Sequence, residues 1–317
     1  MIYKKGKAKE IEWQNEKQWI NSSPLKLENL RGKIVLIDFW AYSCVNCIRT
    51  FDSLKQIWNK YKNKRFILIG IHTPEFEFEK ESGNVKYAVK KYTLEYPILN
   101  DPERINWENY GNTYWPRIAL INTEGDIIFE HVGESGYDEV EKKIIEELIK
   151  LKEIPEDIET ISLKKRNYEP GVSKETYAGS ERNAGIPGKV CTKEGCDEYH
   201  DSGNYAPGVI YLQGEWNQTR EYVEYLGKPE KGRICYRYYA SEVNVVMAGV
   251  GEVEVLLDTL PIRKEDAGED VFFREGKSYV KVEGAEMYNI VKHSNYHSRV
   301  LRIIPFEELK VYAYTFG

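Results

Sequence analysis

The segment that most constrains this chain is Ile34-Val35-Leu36-Ile37-Asp38-Phe39-Trp40-Ala41-Tyr42-Ser43-Cys44-Val45-Asn46-Cys47. A short apolar run reads as a buried strand, and a brief loop leads from it to two cysteines with two residues between them. Beyond Cys44 the residues Ile48, Phe51, Leu54, Ile57, Trp58 and Tyr61 recur on one helical face, so the spacing predicts a helix that starts at the first cysteine. One helical turn lets the two sulfurs approach bonding distance. The unsatisfied N–H groups and positive potential of a helix start favour a thiolate at Cys44. Cysteines so placed have pKa values depressed to roughly 3.5–7.5. Cys44 is therefore read as the nucleophile, and Cys47, one turn deeper, as the thiol that resolves a mixed disulfide.

Asp38 supports this reading. A carboxylate inside an apolar strand has its pKa raised by burial, which suits a proton acceptor serving Cys47. The plainer alternative is an aspartate capping the loop at the strand end. The cysteine pair has alternatives too: an inert buried pair, or half of a zinc site. Zinc takes about four ligands, and this half of the chain adds only His72 and His131, with no second C-x-x-C.

Around this segment, strands and helices alternate. Residues 66–71 read as a second buried strand, and residues 82–92 carry Val85, Ala88, Val89 and Tyr92 in helical phase. Residues 117–121 and 127–132 flank the turn signal Asn122-Thr123-Glu124-Gly125-Asp126, and residues 137–151 form an amphipathic helix. That order predicts an α/β domain over residues 1–151, with helices on both faces of a sheet. Residues 152–176, charged and containing Pro155, Pro170 and Gly171, read as a linker. Residues 177–317 form a second domain. It starts polar and glycine-rich, then gives short β-type runs at 209–212, 221–226, 233–240, 243–248, 253–257, 278–282, 287–291, 299–304 and 311–316. This pattern predicts an all-β sandwich of jelly-roll type. Two domains fit 317 residues at roughly 150 each.

Composition narrows the function classes. With 41% hydrophobic and 30% charged residues the chain is globular, neither low-complexity nor disordered. The net charge of −6 gives no basic footprint for nucleic acid. Residues 1–150 carry 23 basic and 23 acidic side chains, so the whole −6 belongs to the second half. Lys4, Lys5, Lys7 and Lys9 are followed by Glu10, Glu12 and Glu16 rather than by an apolar stretch, and no window approaches about 18 apolar residues. The expectation is a soluble, cytoplasmic chain with no export or membrane segment. Only 3 Met stand beside 24 Tyr and many Lys, Glu and Ile, a choice that resembles heat-adapted proteomes. Five cysteines are too few for a disulfide framework.

At these residues the chain resembles the thioredoxin superfamily, in its TlpA-like and DipZ-like branch. The resemblance is carried by Trp40-Ala41-Tyr42-Ser43-Cys44-Val45-Asn46-Cys47-Ile48-Arg49-Thr50, by Gly70-Ile71-His72-Thr73-Pro74-Glu75-Phe76-Glu77-Phe78-Glu79, and by Tyr110-Gly111-Asn112-Thr113-Tyr114-Trp115-Pro116-Arg117. Together these cover most of residues 25–151. The resemblance implies a thioredoxin-like fold and thiol:disulfide oxidoreductase activity on protein or small-molecule disulfides or dithiols. The redox-active disulfide is the only cofactor implied, and no metal is. It further implies a cis proline at Pro116 beside the cysteines, clamping the substrate backbone, with Trp40, Tyr42 and Trp115 as further substrate contacts. Glu75 stands where TlpA-like proteins carry an acid near the active site; it is either a helper in proton transfer or a solvent-facing loop acid. Val45-Asn46 matches neither the Gly-Pro of thioredoxin nor the Pro-His of strong oxidants, and leaves the direction of exchange open.

The second half resembles the C-terminal module of DipZ proteins through Glu175-Thr176-Tyr177-Ala178-Gly179, Gly214-Glu215-Trp216, Tyr236–Asn244 and Ala313–Gly317. That resemblance implies a β-sandwich similar to carbohydrate-binding folds, with a glycan or protein as ligand. Its Tyr and Trp residues either stack on such a ligand or fill the core. Full DipZ proteins also carry a membrane electron-conducting segment, so the implied electron donor or acceptor here is a separate partner. Cys191 and Cys196, with a glycine among the four residues between them, are a candidate structural disulfide. Free thiols come second. A zinc site with His200 comes last, for want of a fourth ligand. Cys235, in an apolar run, reads as a core thiol. Two rival functions stay open. One is a binding module on a redox-inactive scaffold. The other is a metallochaperone, which would use C-x-x-x-C with a distant histidine.

Overall fold

The computed structural model describes residues 6–162, 169–183, 185–190 and 198–317. The chain divides into two compact units, Met1–Asn167 and Tyr168–Gly317.

The first unit is built on a seven-stranded sheet. Its strands are β1 (Gly6–Lys7), β2 (Trp19–Ile20), β3 (Ile34–Trp40), β4 (Phe66–His72), β5 (Ile98–Asn100), β6 (Arg117–Ile121) and β7 (Asp126–Val132), in spatial order β1-β7-β6-β3-β4-β5-β2. β3, β4 and β5 run parallel, whereas β6 is antiparallel to β3 and β7 to β6. Every residue of β3 is buried, as a central strand covered on both faces requires. Its side chains alternate between the faces. Ile34, Leu36 and Trp40 enter one core with Cys47, Phe51 and Leu54, while Val35, Ile37 and Phe39 enter another with Trp107 and Tyr110. Asp38 shares the parity of the first set, so the strand period turns it toward the cysteines.

The helices are α1 (Val45–Tyr61), α2 (Ser82–Lys91), α3 (Ile105–Asn109) and α4 (Tyr137–Lys150). α1 buries Cys47, Phe51, Leu54, Ile57 and Tyr61, with Ile48 and Trp58 half-buried at the margin of that face. β2, β5 and α3 went unread in the sequence because segments of two to five residues are too short to show a period. The expected linker 152–176 is divided. Ile154, Ile158 and Ile161 pack on the first core, and the Ile161 N–H donates to Glu141 Oε2 at 2.8 Å. Ser173 exchanges two hydrogen bonds with the Tyr239 backbone, each 2.9 Å.

The second unit is an all-β, antiparallel sheet of eleven strands. They are β8 (Thr176–Tyr177), β9 (Glu198–Tyr199), β10 (Ile210–Gln218), β11 (Val223–Tyr225), β12 (Arg233–Gly249), β13 (Gly251–Leu257), β14 (Leu260–Pro261), β15 (Val271–Arg274), β16 (Lys277–Val282), β17 (Glu286–Pro305) and β18 (Leu309–Phe316). β10 pairs with β11, β11 with β18, β18 with β12 and β12 with β10. The sheet therefore closes on itself around Trp216, Tyr236, Tyr238 and Tyr314. Two pairs of short runs seen in the sequence are in fact single long strands, β12 and β17. Their pairing runs to Tyr239 opposite Ser298 and Ala240 opposite His297 and resumes at Glu242 opposite Lys292, with register shifts between Ala240 and Glu242 and between Val243 and Asn244. Polarity there marks solvent exposure rather than a turn; a bulge bends the strand without ending it.

Candidate active site

The site lies where β3 ends and α1 begins. Cys44 is the N-cap of α1, extended at φ −81° and ψ 105°, and its Sγ accepts from the Cys47 N–H at 3.2 Å. A cap acceptor satisfies an orphan helix N–H. Here that acceptor is sulfur, so negative charge on Cys44 meets both this N–H and the positive end of α1. Cys44 is 8% exposed and Cys47 0%, so Cys44 is the outer residue of the pair. Burial pushes the Cys47 thiol well above its usual value, and the adjacent Cys44 adds to this; the charge of Asp38 adds a smaller push.

Asp38 sits in the sheet between Gly70 and Ile118. It is fully buried, and neither carboxylate oxygen has a hydrogen-bond partner. It therefore caps no loop. Burial pushes its carboxyl up to about 8, as expected of a charge withdrawn from water with nothing opposite it. Buried polar groups are usually partnered, and Asp38 departs from that rule with both of its oxygens. Gly70 makes room beside it: a Cβ there would lie 2.6 Å from Ile98 Cδ1 and 3.0 Å from both the Trp40 indole nitrogen and the Tyr96 ring. Tyr96 and Tyr137 stay protonated. Burial holds both hydroxyls well above the usual tyrosine range, and the charge of Asp38 adds to it.

Trp115–Pro116 is a cis peptide. The Pro116 carbonyl accepts from the Gly133 N–H at 2.9 Å. Trp115 is half-buried and stacks on Trp107 at 4.1 Å, with the Arg104 guanidinium 5.4 Å from its ring. Two of the expected substrate contacts, Trp40 and Tyr42, lie in the core. Trp40 is fully buried, edge-on to Phe51 at 5.3 Å and to His72 at 4.9 Å. Tyr42 is buried as well, stacked on His72 at 5.4 Å. Both pack beneath the loop, against Phe51 and His72. His72 between them is kept neutral: burial lowers it to about 3, against the bond of its Nδ1 to Asn100.

Glu75 is half-buried, and its N–H donates to Glu79. Glu79 escaped the sequence reading, because the run Glu75-Phe76-Glu77-Phe78-Glu79 offers three acids and no cue to which turns inward. It is fully buried and accepts from the Ser43 N–H at 3.0 Å and the Phe76 N–H at 3.2 Å. Burial, then the neighbouring charge of Glu75, push its carboxyl to about 7 against those N–H donors. Arg49 and Glu134, also unread in the sequence, form a nearly buried ion pair at 3.6 Å. No group of three His, Cys, Asp or Glu side chains among the described residues is placed to hold a metal ion.

In the second unit Cys235 is a buried thiol 3.7 Å from Asp201 Oδ2. Cys191 and Cys196 lie outside the described residues. Trp216, Tyr225, Tyr236, Tyr238 and Tyr314 fill the core, so the aromatic signal of this half is one of packing and gives a glycan ligand no support.

The redoxin family profile matches residues 19–149, the span that holds this site, and the profile of the thioredoxin-like C-terminal domain matches residues 173–317. The chain is thus similar to proteins of the thioredoxin superfamily. Protein DipZ of Mycobacterium bovis is 30% identical over 311 residues, covering 94% of this chain and 41% of DipZ. The chain thus spans about two fifths of the length of the DipZ proteins it matches. The thiol-disulfide oxidoreductase ResA of Bacillus thuringiensis is 27% identical over 123 residues, covering 39% of this chain and 68% of ResA. The crystal structure of a candidate thiol:disulfide interchange protein DsbE from Chlorobium tepidum covers 47% of this chain and 99% of its own, with 24% identity and a TM-score of 0.41. No described helix is long and apolar enough to cross a membrane.

Proposed function

We propose that this thioredoxin-superfamily chain exchanges electrons with protein or small-molecule disulfides through Cys44 and Cys47. The Cys44 thiolate attacks a substrate disulfide, forming a mixed disulfide and releasing one substrate thiol. Cys47 then loses its proton to Asp38 and attacks the Cys44 sulfur. A Cys44–Cys47 disulfide forms, the second substrate thiol leaves and takes up a proton, and two electrons have passed to the substrate. Reversal of the same steps oxidises a dithiol. The observation that carries this reading is the unpartnered, fully buried carboxylate of Asp38 on the strand face that packs against Cys47. Its raised pKa brings it toward that of a thiol, and proton transfer is most efficient between groups so matched. The cis Trp115–Pro116 segment is the assigned seat for the substrate backbone, which would add to it as an extended strand.

Insulin reduction with dithiothreitol as electron source tests the assignment. Wild-type protein accelerates it, and Cys44→Ala and Cys47→Ala bring the rate to background. Full activity in either variant overturns the proposal. A cysteine pair that resists alkylation at neutral pH would instead favour a redox-inactive scaffold.

A further inference from the structure

Glu79 takes no part in the exchange steps above, yet its carboxylate is built into the loop that carries the nucleophile. One oxygen accepts from the N–H of Ser43, the residue before Cys44, at 3.0 Å. The other accepts from the Phe76 N–H at 3.2 Å and from the Glu75 N–H. Donors from two loops therefore converge on one carboxylate. The first loop joins β3 to α1, and the second follows β4 and carries Glu75. An apolar side chain here would orphan three buried or half-buried N–H groups. A carboxamide offers one acceptor oxygen where the two loops need two. Burying a carboxylate is costly unless it is well bonded, and this one is bonded to backbone N–H groups of both active-site loops.

We propose that Glu79 is a positioning residue for exchange at Cys44: it ties the backbone at Ser43 to that at Glu75 and Phe76, and so fixes the nucleophile relative to the loop bearing Glu75. The inference rests on the exchange through Cys44 and Cys47 proposed above. Cys44 Sγ reaches the Cys47 N–H only if the Ser43–Cys44 backbone holds its place before α1. Releasing the tie alters the balance between dithiol and disulfide, beyond any change in overall stability.

The test compares wild type, Cys44→Ser, Glu79→Gln, Glu79→Asp and the exposed control Glu77→Gln. Each is equilibrated with glutathione redox buffers and trapped by alkylation, and the rate of Cys44 alkylation is followed against pH. Wild type should exchange and Cys44→Ser should not. Glu79→Gln should change the equilibrium constant with glutathione by roughly three-fold or more and displace the pH profile of Cys44 alkylation. Glu79→Asp should fall between it and wild type, and Glu77→Gln should match wild type. If the Gln variant does not fold, the Asp variant decides by the same readouts. Glu79 variants that lose thermal stability while keeping the wild-type equilibrium and pH profile overturn the proposal. A wild type that does not exchange at all overturns the reading beneath it.

Discussion

In the first unit Asp38 shares a buried face with Cys47; in the second, Asp201 lies 3.7 Å from the thiol of Cys235. Both aspartates are buried, and both cysteine thiols are pushed up by burial, Cys235 to about 11. The carboxylates differ in what surrounds them. Asp38 has no hydrogen-bond partner. Asp201 accepts from the Tyr205 hydroxyl at 2.7 Å, the Gly203 N–H at 2.8 Å and Arg233 Nε at 3.0 Å. Burial drives both upward, but at Asp201 these donors outweigh it and hold the carboxyl below its ordinary value, whereas nothing opposes burial at Asp38. The same two residue types therefore make a bonded knot in one unit and leave an unpartnered carboxyl in the other. Partnership decides between them, not burial.

The largest test of this contrast is Asp38→Asn. Loss of a positioned proton acceptor should slow exchange at neutral pH by about 10²-fold. The same substitution should stabilise the protein. The folded pKa of Asp38 is near 8 against 3.8 for the free group, so its contribution to stability is complete below about pH 3.8 and lost as pH rises through 8. Removing it gains at most about 4 kcal/mol at pH 7. Denaturant melts from pH 5 to 8 should show the wild-type decline flattened in the variant by roughly 1.4 kcal/mol per pH unit. Some slope should remain from Glu79, which is also raised.

Asp201→Asn should have the opposite sign. It leaves Arg233 and Tyr205 short of an acceptor and should cost about 1–3 kcal/mol at pH 7, with exchange unchanged. Because the folded pKa of Asp201 is depressed, its stabilisation is present above the free-group value and lost as pH falls through the folded one. The cost should therefore shrink in acid, as melts at neutral and acidic pH would show. The smallest effect belongs to Cys235→Ala, about 1 kcal/mol for a small buried side chain. In wild-type protein Cys235 should be alkylated only on unfolding, long after Cys44, as mass mapping of native and denatured samples would reveal.

The arrangement of the candidate site in the first unit is legible in the sequence because it is local. One strand, one loop and one helical turn carry Asp38, Cys44 and Cys47, and the strand period alone puts the aspartate on the cysteine face. What was not legible depends on distant parts of the chain. Glu79 reaches Ser43 across 36 positions, and nothing in its own neighbourhood separates it from Glu75 or Glu77. The burial of Trp40 and Tyr42 follows from Phe51 and His72 packing on them, which local pattern does not encode. In the second unit the β character was plain, but β12 and β17 were each cut in two, because polar residues in a solvent-facing stretch of strand resemble those of a turn. Asp201 and Arg233, 32 positions apart, likewise show no sign of each other in sequence.

The measurement that bears most directly on the contrast is the pH dependence of mixed-disulfide resolution. The rate at which Cys47 displaces a substrate thiol from Cys44 can be followed by rapid mixing in wild type and in Asp38→Asn. If Asp38 takes the Cys47 proton, the wild-type profile has an inflection near its pKa of about 8, and the asparagine variant loses that inflection and runs slower below it. The same inflection and the same rate in both proteins would contradict the role assigned to the unpartnered carboxylate.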